Sequence, residues 1–156
     1  ASSNVTLSRN GEMFVELLFN DFIRFIGDDF TLGGIKEATE IPVKCCVKQE
    51  IFGDYAIRTY ISMEQEVAIA FASRYVKDTF SDYDEYVQAS LEDFLNLQNG
   101  LFIVNVSNDS STELTIGAPE HVPGDTFAFE NQAYHFPFMF PFGTVNIYIE
   151  AVKINA

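Results

Sequence analysis

Asp93 and Asn96 stand three residues apart in the segment DYDEYVQASLEDFLNLQNG, which begins at Asp82. On an α-helix that spacing leaves two side chains about 60° apart and one turn along the axis, so both face the same way. A carboxylate and an amide so placed make a small polar device with no nucleophile of its own. The carboxylate can pair with a cation. The amide carries both a donor and an acceptor. Ala89, one turn earlier, leaves open space beside the pair. Glu92 offers a second carboxylate, about 40° from Asn96 on the other side. The same residues would also serve as an ordinary solvated helix face.

Self-contained hydrolytic machinery has little support elsewhere in the chain. The two histidines, His121 and His135, lie in different loop contexts, with no HExxH or Cys/His zinc spacing. There is no GxGxxG, P-loop or G-x-S-x-G element, and Gly33-Gly34 stands alone. Cys45 and Cys46 are neighbours in the predicted strand 40–51, so they point to opposite faces, a geometry that disfavours a mutual disulfide. They read as packing residues. Asp28-Asp29 reads as a solvated helix end.

The elements that would position the pair follow from periodicity. Phe14, Leu18, Phe22, Ile26 and Val15, Phe19, Ile23 recur at spacings of three and four and predict a helix over 10–27. Alternation predicts a strand over 40–51, and Phe52-Gly53-Asp54 turns it into a second strand over 55–61. Ser62 and Gln65 have capping-box spacing and predict a helix from 62 to about 76. Ser81-Asp82 and Asn99-Gly100 bracket the helix that carries the pair, roughly 82–98. Its apolar arc is Tyr83, Val87, Leu91, Phe94 and Leu95. Strands are then predicted over 101–106, 113–116 and 144–152. Between the last two, HFPFMFPF at 135–142 is too broken by proline for a central strand, and predicts an edge or a packed loop. A small-molecule site in 134–142 finds no specific support, since burial explains those residues.

With 156 residues, the chain is expected to be a single domain with an ordered core over roughly 10–153. The fold class is α+β, long helices on a mainly antiparallel sheet. Sixteen Phe, seven Tyr and no Trp call for an aromatic core. Nine Lys and Arg against 23 Asp and Glu leave a net charge of −14. That charge disfavours nucleic acid and anionic membranes as partners. No apolar run reaches the length of a membrane span and no signal peptide is visible, so the cytoplasm is the expected location.

The segment resembles the active-site helix of the CheC/CheX family of chemotaxis phosphatases, nearer to the single-site CheX type. That family carries E-x-x-N on an exposed helix, followed by a glycine and a strand. Here Asp93-Phe-Leu-Asn96 takes the place of the motif, and Gly100 precedes LFIVNVSN. The order of elements agrees over most of the chain from about residue 10. The resemblance implies a phosphorylated response-regulator receiver domain as partner and hydrolysis of its aspartyl phosphate. Asn96 would orient the water, and Asp93 would pair with the receiver's lysine, with Ala89 and Glu92 beside it at the contact. It implies no cofactor on this chain, the divalent cation, such as Mg2+, belonging to the receiver. It also implies a homodimer joined through the sheets. One departure is plain: the acid is Asp93, not Glu, and shorter by a methylene. Reading Glu92 as the acid gives E-x-x-x-N instead. Glu16 and Asn20 in the first helix have the wrong spacing for a second site. A non-catalytic binding or scaffold module of the same fold is the alternative.

Overall fold

Ser8 caps the first helix by accepting from the Gly11 N–H at 3.1 Å. In the computed structural model, which describes residues 7–152, this helix is α1 (Arg9–Phe25). The chain continues through β1 (Thr31–Leu32), β2 (Lys36–Pro42), β3 (Cys45–Gly53), β4 (Ala56–Met63), α2 (Gln65–Val76) and α3 (Glu85–Asp109). It ends with β5 (Leu114–Ile116), β6 (Glu120–His121), β7 (Thr126–Phe140) and β8 (Gly143–Val152). The strands form one antiparallel sheet in the order β1-β7-β8-β4-β3-β5, with β2 also on β7 and β6 also on β3. The α+β class expected from the sequence is the class observed. No helix of the described residues is long and apolar enough to cross a membrane.

The three helices share one face of the sheet. Phe14, Leu18 and Phe22 of α1, Phe71 of α2, and Leu91, Phe94 and Phe102 of α3 meet Val47, Ile61, Phe138 and Ile147 from the strands. Phe94 ties the helices together. Its ring stacks on Phe22 at 5.3 Å and meets Phe71 and Tyr75 edge-on at 5.1 and 5.7 Å. The opposite face has its own apolar cluster, including Ile41, Cys46, Tyr60, Val122 and Tyr148, with Phe127 and Phe129 packed against it. Alternation therefore sends Cys45 to one core and Cys46 to the other, both free and buried. Burial raises both thiols, Cys46 to about 12, so neither is a ready nucleophile.

Four boundaries differ from the sequence reading. The predicted strand over 40–51 is two strands, broken at Val43-Lys44. Ser62 stays in β4 opposite Asn146, and α2 starts at Gln65 behind Glu64. Asp84, not Ser81 or Asp82, caps α3, its Oδ1 accepting from the N–H groups of Tyr86 and Val87. The largest change is at the other end. α3 does not stop at Asn99-Gly100 but runs 25 residues to Asp109, so the expected strand 101–106 is helix. Phe102 and Val106 continue the buried stripe of Leu91 and Leu95 at helical spacing, and this outweighs the β-branched composition.

The proline-rich stretch is also not an edge. β7 lies between β8 on one side and β1 and β2 on the other. In an antiparallel strand the N–H and C=O of one residue point to the same side. The Pro137 carbonyl accepts from the Gly33 N–H at 2.8 Å, so the missing N–H faces the break between β1 and β2 and leaves the β8 ladder intact. The approach is close at Gly33, where a Cβ would lie 3.0 Å from Pro137 Cγ.

Candidate functional site

The middle of α3 buries Leu91, Phe94, Leu95, Gln98 and Asn99 and leaves Ala89, Asp93 and Asn96 exposed. The predicted Asp–Asn pair is thus brought together on one open face, with Ala89 beside it. Tyr83, expected in the buried arc, is half-buried.

Each motif side chain is held by one donor from another element. The Tyr75 hydroxyl, at the end of α2, donates to Asp93 Oδ2 at 2.5 Å. Tyr75 is itself wedged between Phe25 and Phe94, at 5.6 and 5.7 Å. Burial and the Asp93 carboxylate raise its pKa well above the usual phenol range, so it stays a donor. Gln49 of β3, 1 % exposed, donates through Nε2 to Asn96 Oδ1 at 2.8 Å. Among the described residues, Asp93 Oδ1 and Asn96 Nδ2 have no hydrogen-bond partner. The free edge of each group faces outward.

Behind this surface runs a buried polar chain. Gln49 Nε2 also donates to the Gly117 carbonyl at 2.7 Å. Asn99 Nδ2 donates to Gln49 Oε1 and to Thr59 Oγ1, both at 2.8 Å. Thr59 donates in turn to the Gln49 carbonyl at 3.3 Å. Asn99 is therefore not a helix stop but the back of the site.

Glu92 is drawn aside. Its carboxylate pairs with His121 Nε2 of β6 at 2.8 Å. Glu16 and Asn20 are exposed on α1. Among the described residues no group of three His, Cys, Asp or Glu side chains lies together as a metal site.

Solved structures with this arrangement of elements are plentiful. The chemotaxis protein CheX from Desulfovibrio desulfuricans superposes with a TM-score of 0.78 at 14 % identity, over 93 % of this chain and 100 % of that one. This chain has the CheX/CheC fold. A CheC-like superfamily protein from Shewanella sp. PV-4 gives a TM-score of 0.75 at 18 % identity, over 92 % and 98 % of the two chains. The CheX–CheY–BeF3–Mg2+ complex from Borrelia burgdorferi also gives 0.75 at 18 %, over 92 % and 97 %. No protein-family model matches the sequence, and no curated protein does. At such identities the likeness resides in the backbone.

In this CheX-like frame, Tyr75, Gln49, Thr59 and Asn99 are the residues that sequence reasoning missed around the pair. Gln49 alone left a signal. It is a polar residue at an inward position between Val47 and Ile51, both fully buried. A buried amide must find partners, and its neighbours in space are Asn96 and Asn99.

Proposed function

We propose that this chain docks on a phosphorylated response-regulator receiver domain and accelerates hydrolysis of its aspartyl phosphate. The observation that carries this reading is the exposed Asp93–Asn96 pair, each side chain fixed by one donor with its other edge outward. Its setting in a CheX-like fold supports it, because a solved CheX structure holds CheY. In this reading the receiver brings its own divalent cation and lysine, which neutralise the phosphoryl group, and this chain holds no cofactor. Asp93 pairs with that lysine. Asn96 holds a water in line, so that a water oxygen bonds to phosphorus as the acyl P–O bond breaks. The products are the receiver's aspartate and inorganic phosphate. Positioning alone suffices when the partner supplies the charge stabilisation, and no nucleophile is required of this chain.

The test follows the decay of a radiolabelled phosphoreceiver. Wild type should accelerate it. Asn96→Ala should abolish the acceleration while leaving the protein folded, at a stability cost of about 1–3 kcal/mol for the buried Gln49 donor that loses its acceptor. Equal acceleration by both proteins would remove Asn96 from the role. A second reading is favoured by one feature: the acid is a methylene short, and Tyr75 already holds one of its oxygens. A binding module would then bind phosphoreceivers without speeding their decay.

A further inference from the structure

The hydrogen bonds behind Asn96 run in one direction only. The Gly117 and Gln49 main-chain carbonyls can accept but never donate. Gly117 therefore fixes the Nε2 end of Gln49 toward itself, at 2.7 Å. Gln49 Oε1 must then face Asn99, which shows it Nδ2. The same Nδ2 reaches Thr59 Oγ1, whose own proton goes to the Gln49 carbonyl. At the other end, the second proton of Gln49 Nε2 meets Asn96, which must present Oδ1. A flipped Asn96 would set two N–H groups against each other across 2.8 Å. The orientation of an exposed amide is thus dictated by main-chain carbonyls at the other end of a buried chain.

This chain of bonds is not arranged for the greatest stability. Asn99 is fully buried, and its Oδ1 has no hydrogen-bond partner among the described residues. Gln49 and Thr59 are equally enclosed, at 1 % and 0 % exposure. Apolar side chains would fill these places without leaving an orphan acceptor, so the retained polar chain calls for another explanation.

We infer that Gln49 is a positioning residue which locks the Asn96 amide in one orientation, Oδ1 inward and Nδ2 outward, with Asn99 and Thr59 holding Gln49 in turn. The outward edge then presents N–H donors, and Oδ1 keeps one lone pair for a water proton. An amide free to flip would offer this arrangement only part of the time. The catalytic consequence rests on the phosphatase reading; the orientation itself does not.

Two measurements separate them. The first needs no receiver. In side-chain amide NMR spectra, both Gln49 Nε2 protons should exchange slowly with water. Asn96→Leu should move one of them and leave the other, bound to Gly117, in place. Asn96→Asp, which still accepts, should keep both protected. Both substitutions are at an exposed position and leave the bonds of Gln49 to Gly117, Asn99 and Thr59 in place. Two rapidly exchanging protons, or no response to Asn96→Leu, would overturn the inference. The second measurement uses phosphoreceiver decay. Gln49→Met, close in shape but without donors, should lower kcat by roughly tenfold or more, the scale on which loss of an outer-shell partner is felt. Its KM should be unchanged, because Asp93 and the helix face persist. A folded Gln49→Met protein with wild-type kcat would overturn the positioning role. If wild type itself does not accelerate decay, the phosphatase reading and the catalytic consequence fall together. The locked amide is then decided by the NMR result alone.

Discussion

Tyr75 reaches Asp93 across the gap between α2 and α3, and that contact bears on the missing methylene of the motif acid. A shorter side chain has fewer rotamers to search, and a fixed phenol narrows them further. Asp93→Ala should weaken binding of the phosphoreceiver, while Asp93→Glu should preserve or raise activity by restoring reach. Tyr75→Phe should weaken binding several-fold with kcat kept, at a stability cost of about 1 kcal/mol for one hydrogen bond. Titration of the phosphoreceiver reads the binding, and its rate of decay reads the activity and kcat. Weakening by Glu92→Ala but not by Asp93→Ala would shift the motif by one residue. A second residue-scale effect lies beneath Tyr75. Asp21 is 4 % exposed and its Oδ2 has no partner among the described residues. Burial raises its carboxyl to about 6, against a partial opposing effect of Arg24. The unfolded chain loses that proton near 3.8, the native state only near 6. Between these values the native state binds more protons, so this group's contribution falls as pH rises and is flat above the window. Asp21→Asn should remove that decline and stabilise the protein near pH 7 by an amount on the order of 2–3 kcal/mol. Urea midpoints of the two proteins between pH 4 and pH 7 test it. Parallel profiles would show that Asp21 ionises normally.

α3 owes its length to burial rather than to local signals. Gly100 lies in its interior, where a glycine costs about 1 kcal/mol relative to alanine, and a Cβ there would meet nothing within 4 Å. Gly100→Ala should therefore raise stability by about 0.5–1 kcal/mol, read from the denaturation midpoint. If the receiver packs along this face one turn beyond Asn96, the same change should weaken its binding while the isolated protein gains stability. A loss of stability would mean that the helix breaks at 100 in solution. The glycine also explains what was legible from the chain. The periodicity of α1, the alternation of β3 and β4, and the outward Asp93–Asn96 pair follow from spacing within one element, and each is observed. The stop at Asn99-Gly100 is a local signal that tertiary contacts override: Asn99 finds Gln49 and Thr59, and Phe102 packs edge-on to Phe14 at 5.3 Å. Pro137 misled in the same way, because the gap between β1 and β2 that receives it exists only in the assembled sheet. The partners of the motif, Tyr75 and Gln49, lie 18 and 47 residues away in sequence, so no spacing rule could join them.

At the scale of the whole molecule, the sheet ends decide what a second copy can reach. β5 has three residues, and β1 and β6 have two each, too short to template a partner strand. β2 is different. It offers seven residues, with a register irregularity between Ala38 and Glu40, and among the described strands it pairs only with β7, so its outer side is open. Lys36, Glu37 and Glu40 on it are exposed, giving that edge charges of both signs. We propose the homodimer that the family resemblance implies, joined through this edge. Light scattering at micromolar concentration should give twice 17.6 kDa. Two chains of charge −14 repel each other, and salt screens charges that lie farther apart than a Debye length, about 10 Å at 0.1 M. Added salt should therefore tighten the dimer. Replacing Thr39 by proline, in the middle of the β2 edge, should shift the equilibrium toward monomer, since proline blocks pairing at a sheet edge. Helical content should be unchanged, because α1, α2 and α3 pack on the other strands. A single species of 17.6 kDa across the range of salt would rule out the dimer. A dimer unaffected by Thr39→Pro would move the interface to another part of the surface.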